Sequence, residues 1–354
     1  MYSASNSQPA ANPNKRPSIP SNSRVLFSLT QNEKTLFFPN MEISSSINAE
    51  WEWMSGENLS QEQWAGALGE IKPDVIVSCW STPRLPESIN GELPVKYVSH
   101  LSGTVRHFLP RTFLERGGRV TNWGGIVGPT VSEHALLLAL ASLRNIEGWK
   151  SVINTHSTTA MHPTFRVETA SLYRRTVGIH GFGHVARKLI QLLKPFDVTI
   201  KCYSSGVPRG VIEEAGVIPC ESLDAIFTGS DVLFECEALT VATRMSVTAE
   251  LLALLPDGAL FVNVGRGELI DEDALFAEAS NERLRLALDV VHGEMLPDSR
   301  FIGMPGVLLS PHIAGPTLDH FAQCGENALD NVQRYLRGAT LHAEVTLAIY
   351  DRMT

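Results

Sequence analysis

The sequence predicts an α/β protein of two doubly wound parallel-sheet domains with a cleft between them. Three observations carry that prediction. The 354 residues are enough for two packed cores. Short apolar runs alternate with helical segments in two separate series, the pattern of βαβ units. A Gly- and Pro-bearing segment, GGIVGP, stands between the series as a loop or hinge. Residues 1–23 are rich in Ser, Asn and Pro and are expected to be a disordered tail, since they hold too little apolar surface to fold. Residues 24–128 with 318–354 are expected to form one discontinuous domain, and residues 129–317 the other.

The first series runs RVLFSL, a helical stretch near SQEQWAGALGEI, then DVIVSCW, VKYVSHLSG and GRVTNW. The segment PTVSEHALLLALASLRNIEGW follows. Pro129 is suited to the first helical turn, and the helix is apolar through most of its length, so it should be buried, between the domains. The second series runs RRTVGIHGFG, VTIKCYS, DVLFECEAL, ALFVNVGRG and LRLALDVV. The closing helical segment TLDHFAQCGENALDNVQRYLRG is expected to return to the first domain.

Composition narrows the function. A net charge of -9 without a long basic run excludes a nucleic-acid or anionic-membrane partner, which would need clustered Lys and Arg. No stretch reaches the roughly 20 apolar residues of a membrane span. The tail lacks the apolar centre of a secretory signal. Five cysteines are odd in number and scattered, without the paired spacing of a metal or redox site. A reducing cytoplasmic compartment fits them, and no metal is expected.

The chemistry begins at Gly181. A β-type run from Arg175 ends in G-x-G-x-x-A (Gly181, Gly183, Ala186) and opens a helical segment. Gly181 permits the tight turn, Gly183 lets the backbone approach a pyrophosphate, and Ala186 lets the helix pack on the strand. His184 and Val185 then stand at a helix N-terminus, where unpaired N–H groups favour negative charge. This is the fingerprint of a Rossmann-like dinucleotide site, and it makes residues 129–317 the cofactor domain. About twenty residues on, where the fingerprint has an acid for the ribose 2′-hydroxyl, this chain has Ser204, Ser205 and then Arg209. Hydroxyls and a guanidinium suit a 2′-phosphate, so NADP is favoured over NAD. An ordinary polar loop with NAD bound through other contacts is the alternative.

Hydride transfer to a 2-keto acid needs a cation for the carboxylate, a proton donor for the developing alkoxide, and a group that keeps the donor protonated. Three segments offer these: FVNVGRG with Arg266, LDV followed by Glu294, and SPHIAG with His312. A carboxylate beside an imidazole raises its pKa, so Glu294 and His312 could form an acid-base pair. Val264 and Gly265, beside Arg266, and Gly315, after His312, are counted with the cofactor-binding residues.

In this order and spacing the motifs resemble the D-isomer-specific 2-hydroxyacid dehydrogenase family: Gly-rich loop, N-x-x-R-G, L-D-V with a Glu five residues after the Asp, then P-H-I-A-G. The resemblance extends from about Val95 to Gly338. It implies an oxidoreductase that passes a hydride between NAD(P) and a small 2-hydroxy or 2-keto acid, such as glyoxylate or hydroxypyruvate. It implies that Arg266 orients the substrate carboxylate, His312 transfers the proton and Glu294 tunes His312. Asp289 would hold the nicotinamide carboxamide. The backbone of Ser102, Gly103 and Thr104 would bind the substrate carboxylate, which makes the discontinuous domain the substrate domain. A homodimer is also implied. The alternative reading is a nicotinamide-sensing interaction protein of co-repressor type without turnover.

The chain departs from the family at three places. LSGTVRHF stands where a Gly-Ala-Gly turn and an Asp are usual, which puts Arg106 at an acidic position. It either recognises a second anionic group or makes a structural ion pair. Trp123 occupies a usually small hinge position. CEALT replaces H-x-P-L-T, so Cys236, Glu237 and Ala238 reshape the cofactor floor. His180 and His184 flank the glycine loop, and His134 and Glu133 on the apolar helix are read as structural.

Overall fold

All pairings between the strands are parallel, so both sheets must be covered on both faces and their inner strands should be apolar throughout. The structure is a computed structural model that describes residues 23–39, 47–88, 94–156, 167–294 and 298–353. The expected tail, apart from Ser23, lies outside these residues. Contacts divide the chain into two units, Met1–Asn122 with Cys324–Thr346 and Trp123–Gln323 with Leu347–Thr354.

In the first unit β1 (Arg24–Ser28), β2 (Glu50–Trp53), β3 (Val75–Ser78), β4 (Tyr97–His100) and β5 (Arg119–Thr121) pair in the order β2-β1-β3-β4-β5. Val75–Ser78 and Tyr97–His100 are buried at every residue, as central parallel strands must be. The helix Gln61–Ile71 is opened by Ser60 in a capping box with Gln63 and buries Trp64 and Leu68. The helix Phe321–Leu336 supplies cover late in the chain. Tyr335 stacks on Tyr97 with centroids 4.6 Å apart, and Asn331 holds the following turn by bonds to His342.

In the second unit β6 (Thr176–His180), β7 (Thr199–Tyr203), β8 (Ile218–Pro219), β9 (Val232–Glu235), β10 (Leu260–Asn263), β11 (Arg285–Leu288) and β12 (Val307–Leu309) pair in the order β12-β11-β10-β9-β6-β7-β8. The order reverses between β6 and β9, and such a switch point is where doubly wound sheets bind ligands. Successive residues divide between the faces. Val232, Phe234, Leu260 and Val262 pack with the helices Gly128–Leu143 and His184–Leu193, while Leu233 and Phe261 pack with Phe227, Leu275 and Phe301. The apolar helix Gly128–Leu143 is thus covered within its own unit, although Leu137 is exposed. Among the described residues no helix is long and apolar enough to cross a membrane.

Candidate active site

Because the strands of the second sheet are parallel, the loops after β6, β7, β9, β10, β11 and β12 all leave its C-terminal edge. Those loops carry Gly181 and Gly183, Ser204, Glu237, Arg266, Asp289 and His312 respectively. The topology therefore collects the motifs that lie far apart in sequence.

Gly181 has φ +97°, and a Cβ on it would come within 2.7 Å of the Cys236–Glu237 peptide. Only glycine suits both the backbone and the approach. Gly183 caps the helix His184–Leu193 without a side-chain bond, and nothing stands within 4 Å of where its Cβ would be. The helix N-terminus is thus open above the switch point, with Gly183 and His184 exposed, which fits a pyrophosphate on backbone N–H groups.

At the end of β7, Ser204 is nearly buried and its Oγ donates to Glu237 Oε2 at 2.7 Å. Arg209 is paired with Glu213 at 2.9 Å and also with Glu221. A carboxylate that the NADP expectation does not count also stands here: Glu237 arrives from the loop after β9, a place the fingerprint does not name. Beneath it, His180 and Glu235 are cross-strand partners in β6 and β9, both buried, with Nδ1 and Oε2 2.7 Å apart. Burial opposes charge on His180, but the Glu235 carboxylate outweighs it and raises the imidazole above its usual range. Glu235 Oε1 also accepts the Glu237 N–H at 2.9 Å.

Arg266 follows β10 on a loop shaped by Asn263, the first residue of the N-x-x-R-G motif, to which the sequence assigned no role. The fully buried Asn263 amide accepts the Gly265 N–H at 3.0 Å and donates to the Arg266 carbonyl at 3.0 Å. A Cβ on Gly267 would fall 2.1 Å from the Val291 carbonyl carbon, so the Arg266 loop sits directly against the chain leaving β11. Arg266 itself is half-buried, with Nη1 donating to the Gly265 carbonyl at 2.7 Å. Val264 is buried and Gly315 half-buried.

Asp289, buried after β11, accepts from Ser310 Oγ at 2.6 Å and from the Ile313 and Ala314 N–H groups, each at 3.0 Å. His134 Nε2 lies 2.9 Å from Ser310 Oγ and 3.4 Å from Asp289. Burial raises the Asp289 carboxyl, but these donors outweigh it and hold the pKa below the ordinary carboxylate value. Asp289 thus pins the loop that carries His312. That residue is exposed and has φ +51°, a left-handed conformation that is uncommon for a residue with a side chain. Its N–H donates to the Asp289 carbonyl at 2.9 Å. Glu294 lies in the turn His292–Glu294 after β11, and its side chain is outside the described ones.

In the first unit, Ser102, Gly103 and Thr104 follow β4. Ser102 is buried, its hydroxyl 2.6 Å from His100 Nε2, while Ser78 Oγ lies 2.8 Å from Nδ1. His100 is pushed down to about 3 by burial and by the neighbouring His107. With its side chain turned inward, Ser102 has its backbone to offer a ligand. Asn122 braces the loop by donating to the Gly103 carbonyl. Arg106 is exposed and its carbonyl accepts from Arg84 at 3.0 Å.

Residues 136–314 match the family model of the D-isomer specific 2-hydroxyacid dehydrogenase, NAD binding domain. An uncharacterized protein of Corynebacterium melassecola is 30% identical over 267 residues, 74% of this chain and 84% of that one. Human glyoxylate reductase/hydroxypyruvate reductase is 27% identical over 84% of this chain and 90% of its own. The solved 2-hydroxyacid dehydrogenase of Ketogulonicigenium vulgare superposes with a TM-score of 0.76 at 21% identity, covering 92% of this chain and 98% of that one, a likeness of fold.

Proposed function

The chain belongs to the D-isomer specific 2-hydroxyacid dehydrogenase family, and on that premise we propose that Arg266, Glu294 and His312 serve a hydride exchange between a nicotinamide cofactor and a small 2-keto or 2-hydroxy acid. It is an oxidoreductase acting on the CH–OH group. Relatives that carry the names glyoxylate reductase, hydroxypyruvate reductase and glycerate dehydrogenase put the smallest such acids first among substrates. The observation that carries the assignment is the gathering of the Gly181, Arg266 and His312 loops at one edge of one parallel sheet, beside the switch point.

A bound nicotinamide would supply or take up the hydride. Arg266 grips the substrate carboxylate, because a guanidinium meets two oxygens at once, and its charge polarises the keto oxygen. His312 gives the developing alkoxide a proton and takes it back in the reverse direction. The left-handed turn at His312, fixed by Asp289, presents the imidazole on the surface of the unit. Glu294 favours the imidazolium, and in the first unit the backbone of Ser102, Gly103 and Thr104 has N–H groups for a carboxylate. Asp289, which holds the His312 loop, would also hold the nicotinamide carboxamide. The preference for NADP drawn from Ser204, Ser205 and Arg209 gives way to the reading of Glu237 below.

The exposed Leu137 on the helix Gly128–Leu143 supports a homodimer. Sedimentation of the purified chain tests that, with a monomer at every concentration as the result against it. The five free cysteines suit the cytoplasm. The decisive assay follows nicotinamide absorbance while the protein is offered glyoxylate, hydroxypyruvate, pyruvate and branched-chain keto acids. Oxidation of the reduced cofactor with at least one is expected. Cofactor binding without turnover on any of them would favour a sensor instead.

A further inference from the structure

We propose that Glu237 is the cofactor-selecting residue of this chain: it takes the adenosine ribose 2′-hydroxyl as a hydrogen-bond donor and turns away a 2′-phosphate, so that NAD is used in preference to NADP. The proposal rests on the dinucleotide reading of the Gly181–Gly183 loop. In this fold the residue at the end of the second strand stands beside the ribose, and here that residue is Ser204. A serine alone would leave the choice open. Its hydroxyl, however, is committed to Glu237 Oε2 at 2.7 Å, so a carboxylate stands one hydrogen bond from the ribose position.

That carboxylate is held. Its other oxygen accepts the Ala238 N–H at 2.9 Å, and its own N–H donates to Glu235 at 2.9 Å. Glu235 is fixed in turn by His180, and the Cys236–Glu237 peptide lies against Gly181. Glu237 is therefore tied to the glycine loop and cannot swing aside without breaking several bonds. A carboxylate that already accepts from Ser204 still has lone pairs for a ribose hydroxyl. Toward a phosphate it offers like charge and no donor.

The charge around the loop points the same way. Arg209 is matched by two carboxylates, Glu213 and Glu221. Arg352 also approaches, with Nη2 3.8 Å from where a side chain on Gly206 would begin. If it outweighed Glu237, NADPH would be the tighter ligand.

The test is equilibrium titration of the full chain with NADH and NADPH, followed by nicotinamide fluorescence. The wild type is expected to bind NADH at least about tenfold more tightly, about 1.4 kcal/mol. Glu237→Gln keeps the shape and removes the charge, and should shrink that ratio to near one by tightening NADPH. Competition on the wild type supplies the same answer without a variant. AMP should displace NADH at concentrations where adenosine 2′,5′-bisphosphate does not. Equal or NADPH-favouring affinities in the wild type, or an unchanged ratio in a folded Glu237→Gln protein, overturn the assignment of Glu237. Absence of binding by either cofactor would instead remove the dinucleotide reading on which it rests.

Discussion

Acid should destabilise the first unit through one side chain, His100, and the structure sets the size of the effect. The imidazole sits between Ser78 and Ser102, stacked on Phe108 and edge-on to His107, and burial followed by the His107 charge pushes its pKa down to about 3. The folded state therefore keeps it neutral where an unfolded chain, with a pKa near 6.5, takes up a proton. Because the folded pKa is the lower one, the contribution is intact above about pH 6.5 and is lost progressively as pH falls from there toward about 3. Between about pH 7.5 and about pH 5 the loss is RT ln(1 + 10^1.5), roughly 2 kcal/mol. His100→Gln offers both serines an amide in place of the ring and does not titrate. Urea unfolding followed by tryptophan emission reads the unit, since Trp51, Trp53, Trp64 and Trp80 lie in it. The stability gap between wild type and His100→Gln should shift by roughly 2 kcal/mol in the variant's favour at the lower pH. Parallel pH curves for the two proteins would refute the neutral buried imidazole.

Three other outcomes are expected at the candidate site. His312→Ala and Arg266→Ala should each lower kcat/KM by at least about a hundredfold with unchanged circular dichroism, and near-normal turnover in either would remove its role. Asp289→Ala leaves the Ser310, Ile313 and Ala314 donors without their acceptor, so thermal unfolding should register at least about 2 kcal/mol and kcat should fall with the loosened His312 loop. Gly267→Ala would press a methyl onto the Val291 carbonyl carbon and push the Arg266 loop off the chain leaving β11. Steady-state kinetics should then show a raised KM for the acid, and an unchanged KM would count against that packing.

The strands that the apolar runs identify are those with neighbours on both sides, together with β5. DVIVSCW, ALFVNVGRG and LRLALDVV became inner strands, because parallel strands buried on both faces carry continuous apolar sequence, whereas VTIKCYS, also inner, alternates, with Ile200 and Cys202 buried and Thr199 exposed. The strands not read from the sequence, β2, β8 and β12, are all edges. Glu50–Trp53 alternates acid and indole and is mostly exposed, and Ile218–Pro219 has only two residues. Neither has the burial that writes a signal. At the site, the glycine loop was legible because Gly181 answers a local backbone demand. Asn263, in the N-x-x-R-G motif, and Glu237, in the CEALT departure, were visible as positions, but the bonds they make were not, since each depends on a loop conformation or a partner that only the fold supplies. The Ser204–Glu237 bond joins residues 33 apart in sequence, so a spacing rule confined to the end of β7 misses it.

The His180–Glu235 pair shows how such a loop is held in place. Both residues occupy inner-strand positions in register, where an apolar pair would pack without the cost of removing two polar groups from water. Stability alone therefore does not account for them, and the second oxygen of Glu235 indicates what does, since it fixes the Glu237 backbone. Glu235→Leu alone should cost about 1 to 3 kcal/mol in unfolding free energy, because it leaves the buried His180 Nδ1 without its hydrogen-bond partner. Adding His180→Val should restore most of that stability, since replacing both partners of a buried polar pair by apolar groups leaves no unsatisfied donor or acceptor. The double variant should nevertheless discriminate less between NADH and NADPH than the wild type, with Glu237 intact but no longer pinned. Full recovery of both stability and discrimination would mean that Glu237 holds its position without the pair. Loss of stability in the double variant as large as in Glu235→Leu would mean that the pair is a packing requirement of the switch point itself.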